Sequence, residues 1–471
     1  MNVAIIHHHL NRGGVTSVVV NHLRSLSAVA GSLRAAVFFG GRKEAWNDEL
    51  ARELGGVELS LHVVPELEYD EGRLPRPGEL HERLRTVLKS AGLRPDETLL
   101  HVHNHSLGKN VSLPGALRLL AADGFPQLLQ IHDFAEDLRP ANYRRLQAAL
   151  GAAELSASLY PQAPHVHYAV LNRRDAEILG RIADDSRVHF LPNPAAEFGD
   201  LPERHAVRNA LERAFGIPTA TRLVVSPVRG IRRKNVGELL LWAAAFGRDS
   251  VHACTLPPLN PAEQTSYRFW KTAAAELQLP CLFELGAPQH GLTFPEVLSA
   301  SDALITTSVA EGFGMVFLEA WLAGRPLIGR DLPDVTADFK RAGVTLGGLS
   351  PEFLIPVDAV GIGEFRDRFT AAFRRLLEAY GRPVPTTDKL AAAAEEHLRD
   401  GLLDFAVLDR GLQYRVVSRA VAQSTLRGRI RSANPTHVAA ASLDVADAGT
   451  IIADNAAAVR ESYSIAGCGR R

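Results

Sequence analysis

Cysteine and methionine are nearly absent from this 471-residue chain, with three of the first and two of the second. Cys254, Cys281 and Cys468 are odd in number and widely scattered. That argues against a disulfide framework or a cysteine zinc site and fits a reducing, cytoplasmic location. A charge excess is also missing: the net charge of −1 advertises no bulk attraction to nucleic acid or to an anionic membrane. No stretch approaches the ~20 apolar residues that a membrane span needs. The opening MNVAIIHHHLNRGG lacks the basic start and long apolar run of a signal peptide and reads instead as a first β-strand. Lysine is scarce beside leucine, alanine and arginine, a coding bias with little functional meaning.

What is present is an ordinary globular composition, 46% apolar and 22% charged. The length predicts two or three domains. Short β-rich runs at 3–8, 35–39, 57–64, 99–103, 128–132, 168–171 and 188–191 alternate with helical runs at 15–28, 81–89, 113–122 and 143–150. Such alternation implies a mostly parallel sheet covered on both faces. Three prolines in LPNPAAEFGDLPE, around 191–203, mark a linker. A second series follows, with strands at 223–227, 251–256, 281–285, 303–307 and 326–328 and helices at 236–245, 262–277, 295–300 and 314–323. The expected architecture is α/β: Rossmann-like doubly wound domains at 1–195 and 196–384, then a helical segment at 385–471 packing across them. Residues 427–443 are the least structured by pattern.

The most informative run is Glu311 to Glu319, EGFGMVFLE. Gly312 and Gly314 allow the backbone to approach a ligand closely. The helix that follows offers unpaired amides and a positive dipole end near Met315 and Val316, a natural phosphate seat. Glu319 lies among apolar neighbours, where a carboxylate costs several kcal/mol unless donors satisfy it. Two ribose hydroxyls would do so, and the motif reads as a nucleotide-sugar site.

Four features in this order resemble the retaining glycosyltransferases of family four, which have the GT-B fold with two Rossmann-like domains facing a cleft. They are the turn Asn11-Arg12-Gly13-Gly14-Val15, His132 in QIHDF, Arg229 and Lys234 in PVRGIRRKN, and Glu311 through Glu319 before the strand PLIG. The resemblance implies a hexosyltransferase that takes a nucleotide-diphosphate sugar as co-substrate. It implies donor contacts from Gly13, Gly14, Arg229, Lys234, Glu311, Gly312, Phe313, Gly314, Met315, Val316 and Glu319. The catalytic set would be His132, Arg229, Lys234 and Glu311. Positive groups must converge on the departing diphosphate; Arg229 can fork onto its oxygens and Lys234 can supply a point charge. Arg232 and Arg233 read as solvated. With these cations and the helix amides in place, the resemblance calls for no metal and no protein nucleophile.

Histidines are plentiful at two strand ends, His7, His8 and His9 and then His101, His103 and His105. Alternation places His7 with His9 on one face, and likewise the second trio. No carboxylate or cysteine spacing supports a metal there. The readings left are polar lining for an acceptor, with His103, His105 and Asp133 as contacts, and plain packing of the rings; the first is adopted. A departure from the family is GRDLPDV after Pro326, which lacks the usual Gly-rich turn and has Asp334 in place of the usual acid. The helical tail is a candidate for shaping the acceptor site or an oligomer contact. A GT-B phosphorylase or epimerase and a non-catalytic nucleotide-sugar sensor are the competing functions. Glu319 argues against phosphorolysis, and Arg229, Lys234 and Glu311 together argue against a pure sensor. The acceptor expected is a small soluble sugar or sugar acid.

Overall fold

In a computed structural model, residues 2–11, 13–30, 32–44, 46–70, 74, 76–247 and 249–469 are described. They form two compact units: 1–196 with 379–382 and 460–471, and 197–378 with 383–459. Arg12 of the Gly-rich turn lies outside the described residues.

The first unit is built on seven parallel strands: β1 (Asn2–Ile6), β2 (Leu33–Phe39), β3 (Val57–Val63), β4 (Thr98–His103), β5 (Gln127–Ile131), β6 (Val166–Val170) and β7 (Val188–Phe190). Their order is β3-β2-β1-β4-β5-β6-β7. Side-chain alternation assigns the faces. Val3 and Ile5 with Ala35, Val37 and Phe39 pack on one side against Val19 and Leu23 of the helix Gly14–Val29. Ala4, Ile6, Ala36 and Phe38 point the other way, into a core with Leu80, Leu84 and Leu88 of the helix Pro77–Ser90 and with Leu113, Leu117 and Leu120. Those leucines recur at helical spacing, so each helix presents one apolar stripe to the sheet.

The second unit repeats the plan with β8 (Arg222–Arg229), β9 (Ser250–Leu256), β10 (Cys281–Phe283), β11 (Ala303–Thr306), β12 (Leu327–Arg330) and β13 (Leu349–Ser350), ordered β10-β9-β8-β11-β12-β13. Its helix Val236–Phe246, VGELLLWAAAF, is apolar nearly all round and almost wholly buried. A helix of that kind needs a cover on its second side. The segment after 383 supplies it: Leu412, Val416, Val417, Ala420, Leu426 and Ile430 share one core with Leu239, Leu240 and Trp242.

That segment is not helical throughout, as the sequence suggested. It contains β15 (Leu398–Arg399) and β16 (Leu402–Asp404), which join β14 (Leu354–Pro356) in a small antiparallel sheet ordered β14-β16-β15. Asp400 and Gly401 both take left-handed φ, 50° and 74°, the two-residue Asp-Gly hairpin turn that suits strand twist. Most of the run 427–443 is also regular, in the helices Ser424–Ala433 and Pro435–Ala441. Asn434 between them donates to the carbonyls of Leu354 and Ile430 and accepts from the Leu354 amide. Among the described residues, no helix is long and apolar enough to cross a membrane.

Candidate functional site

In an open parallel sheet, ligands bind beyond the carboxyl ends of the strands where the strand order reverses. In the second unit that point lies between β8 and β11, and the residues singled out by sequence follow these two strands. The 3₁₀ turn Arg232–Lys234 comes after β8. It is stitched to the loop after β11 by the Val309 amide on the Arg233 carbonyl, 2.9 Å, and by Thr307 Oγ1 on the Lys234 carbonyl, 2.7 Å. Both stitches use main-chain carbonyls, so the geometry does not depend on which side chains the turn carries.

Glu311, with its side chain 5% exposed, is ion-paired to Lys234 and accepts from Arg233 Nη1 at 2.7 Å. Burial by itself would raise this carboxyl; Lys234 and then Arg233 outweigh it and hold the group below its usual range. Arg233 is therefore not the solvated residue expected from sequence. Its guanidinium also donates to the Ala310 carbonyl at 3.2 Å, so it braces the loop as well as the carboxylate. Arg229 ends β8 with Nη1 on the Pro257 carbonyl at 3.2 Å.

Gly314 takes φ +82°, and a Cβ there would lie 2.6 Å from the Phe317 ring. Only glycine fits both demands. Phe313 is buried against Phe339, anchoring the turn that Gly312 opens. The helix Val316–Leu322 begins its bonding with the Phe317 amide on the Gly314 carbonyl. Among the described residues, the amides of Gly314, Met315 and Val316 make no backbone hydrogen bond. Glu319, on the first turn, is half-buried, and among the described residues its carboxylate makes no hydrogen bond. Burial pushes it up to about 7, with Lys234 pulling the other way.

In the first unit the strand order reverses between β1 and β4. Gly13 and Gly14 follow β1 and open the helix Gly14–Val29. Gly13 is extended, φ 179°, and a Cβ on Gly14 would meet nothing within 4 Å. The fold itself does not demand glycine at either place. His132 follows β5, 8% exposed, with Nε2 2.8 Å from His103 Nδ1. Burial brings the His132 ring down to about 3, with His101 adding to the shift.

Asn104, which the sequence reading passed over, positions this loop. It adopts φ 58°, a left-handed conformation that asparagine tolerates, and its Oδ1 accepts from the amides of His132 and Asp133 at 2.8 and 3.1 Å. Asn104→Ala should strand two amides and cost about 1–3 kcal/mol. Urea unfolding would read the loss, and Asn104→Asp, which keeps the acceptor oxygen, should restore most of it.

The expected acceptor lining divides. His103 and His105 are 0% and 1% exposed, and His105 Nε2 is bonded to the Leu159 carbonyl at 2.8 Å. Their rings are committed to the interior: His103, the last residue of β4, lies against His22 of the helix Gly14–Val29, and His105 turns to the Leu159 carbonyl. Asp133 is accessible and salt-bridged to Arg139 at 2.6 Å. Near it Lys109 stands over the Tyr69 ring, 5.3 Å from its centre. Burial, then the charges of Arg139 and Arg145, push the Lys109 ammonium below its usual range. Cations crowded in this way favour an anionic ligand.

No protein-family model matches the chain. The chain is similar to the mannosylglucosyl-3-phosphoglycerate synthase of Petrotoga mobilis, 26% identical over 426 residues, covering 88% of this chain and 80% of that protein. Its structure resembles Anabaena HepE in complex with UDP and glucose, with TM-score 0.51 and 14% identity over 92% of this chain and 97% of that one. It also resembles the catalytic domain of starch synthase IV from Arabidopsis thaliana bound to ADP and acarbose, with TM-score 0.52 and 12% identity over 94% and 99%. At such identities the structural likeness speaks to the fold alone: two doubly wound units in the GT-B arrangement of chain and strand order.

Proposed function

We propose that this GT-B glycosyltransferase moves a hexose, with retention, from a nucleotide-diphosphate sugar to a hydroxyl of a small anionic sugar or sugar acid. The observation that carries the reading is the second unit's constellation. An ionised Glu311 is held between Lys234 and Arg233, and a Glu319 carboxylate with no hydrogen-bond partner among the described residues stands close enough to feel Lys234. Glu311 accepts hydroxyls of the transferred sugar and Glu319 those of the ribose. Lys234, Arg229 and the amides of Gly314, Met315 and Val316 take the diphosphate, supplying the neutralisation that a metal gives elsewhere.

On the first unit, Gly13 and Gly14 leave space for a ligand to approach the backbone. His132 and Asp133 serve the reacting sugar and the acceptor hydroxyl. Retention follows from attack on the face from which the diphosphate leaves, with that phosphate taking the acceptor's proton, so no side chain acts as nucleophile. Lys109 and Arg139 favour an acceptor bearing a phosphate or carboxylate, in keeping with the phosphoglycerate named in the Petrotoga relative. A cytoplasmic location fits such substrates.

The test is a thermal-shift screen of UDP, GDP and ADP sugars, followed by transfer assays on phosphorylated and unphosphorylated sugar acids read by mass spectrometry. Binding without transfer to any of them would favour a nucleotide-sugar sensor. Glu319 gives a sharper prediction. Glu319→Ala should weaken nucleotide affinity in titration calorimetry, and an unchanged affinity would remove the ribose assignment.

The pH dependence has a definite sign. The carboxyl, pushed up to about 7, accepts two hydroxyls only when ionised. Donor affinity should therefore rise between roughly pH 6 and pH 8, with proton release on binding. Glu319→Gln should flatten that dependence.

A further inference from the structure

On the face of the first sheet covered by the helix Gly14–Val29, imidazoles converge where apolar side chains would have packed. His22, from that helix, is 4% exposed and stacks on His101 with ring centres 5.3 Å apart and planes at 20°. His103 lies 5.9 Å from His22 and 4.4 Å from His101, centre to centre. One nitrogen from each of the three rings falls within 4.8 Å of the others. Both nitrogens of His22 and Nε2 of His103 are buried with no hydrogen-bond partner among the described residues. Each such atom forgoes in a closed core the hydrogen bond it makes in water, a penalty that leucine or phenylalanine would not carry.

We propose that His22, His101 and His103 bind one late first-row divalent cation, with Zn²⁺ as the reference ion. Imidazole suits Zn, Ni, Cu and Fe, whereas Ca²⁺ and Mg²⁺ require oxygen ligands that this cluster lacks. The surrounding bonds prepare the rings. His103 Nδ1 is 2.8 Å from His132 Nε2, and His101 Nε2 is 2.8 Å from Gln130 Oε1. When those bonds carry the ring protons, His103 Nε2 and His101 Nδ1 keep their lone pairs. Outer partners of this kind orient metal-binding histidines. Burial holds all three rings below the usual imidazole range, uncharged at neutral pH and in ligand form.

A cavity of about 730 Å³, lined by His22, His101, Ser25, His165, His167 and Cys468 among others, opens beside the cluster. It provides an entry path and room for the solvent ligand that three-histidine zinc sites keep in their fourth position. The cavity lies toward the amino ends of β1, β4 and β5, at Val3, Leu99 and Leu128, and the transfer chemistry belongs to the carboxyl ends. The cation would therefore act as a brace. It would clamp the helix that begins at Gly14 to β4 and, through His103, steady His132.

Metal-stripped protein titrated with Zn²⁺ in a calorimeter should take up one tight equivalent, and Co²⁺ should develop the visible bands of a low-symmetry nitrogen site. His22→Leu and His101→Leu fill the same space with apolar groups and should keep the fold by circular dichroism. Both should lose the tight equivalent and the Co²⁺ bands. His167→Ala, which alters the cavity wall but not the triad, should keep them. No tight equivalent in the wild-type protein would overturn the proposal irrespective of how the variants fold. Tight binding that survives in folded His22→Leu would overturn it as well.

Discussion

Lys234→Ala should lower turnover by about 10²-fold or more, the scale of one lost electrostatic donor at a developing anion. That is about 2.7 kcal/mol of transition-state stabilisation. The expectation rests on where the ammonium sits. It is 13% exposed, ion-paired to Glu311, and felt by Glu319, so its charge is poorly screened by water.

The variant is also structurally clean. The turn is fastened to the loop after β11 through the main-chain carbonyls of Arg233 and Lys234, which truncation at Cβ leaves in place. Arg233 remains to neutralise Glu311, so ground-state sugar binding should change less than turnover. Steady-state and single-turnover kinetics separate the two effects. A reduced affinity with unchanged turnover would make Lys234 a donor-binding group with no share in stabilising the leaving group.

The strands were legible because each core position alternates with its opposite face. Val3 and Ile5 pack on one side of β1 and Ala4 and Ile6 on the other, the pattern of a doubly covered sheet. EGFGMVFLE was legible for a different reason: its glycine, carboxylate and helix start are local and need no partner from far along the chain. The role of Arg233 was not. In the run RGIRRKN, which guanidinium turns inward is decided by a 3₁₀ turn and by a residue 78 positions away, and charge clusters read alike whichever member is used. His22 carries no pattern of its own in the sequence, one of several polar residues in the helix Gly14–Val29; only the fold brings it to His101 and His103. The hairpin at 398–404 was different. Asp400-Gly401 is a strong turn signal, hidden by the helix-forming run LAAAAEEHL before it.

Arg330→Met should cost about 3–5 kcal/mol of stability, the range for breaking a buried charge pair on one side. Arg330 ends β12 at 4% exposure and donates to Glu238, at 2.6 Å, and to Asp404, at 2.8 and 2.9 Å. A further bond reaches the Pro351 carbonyl at 2.6 Å. Glu238 belongs to the buried helix Val236–Phe246 and is 0% exposed; Asp404 belongs to the hairpin of the last segment. One guanidinium therefore fastens a central helix, the sheet and the C-terminal cover to each other.

Without it, two carboxylates stay behind, and burial pushes the Glu238 carboxyl upward with no cation to oppose it. The pH dependence then has a definite sign. An unfolded glutamate titrates near ~4.3, so between that value and the raised one the folded variant binds more protons than the unfolded chain. Its stability must fall as pH rises through the folded value. Urea unfolding should show the deficit shrinking at acid pH and growing above neutrality. The double variant Glu238→Met, Arg330→Met should recover part of the loss by removing a stranded charge. An Arg330→Met protein as stable as the parent at every pH would show that this network does not hold the second unit together.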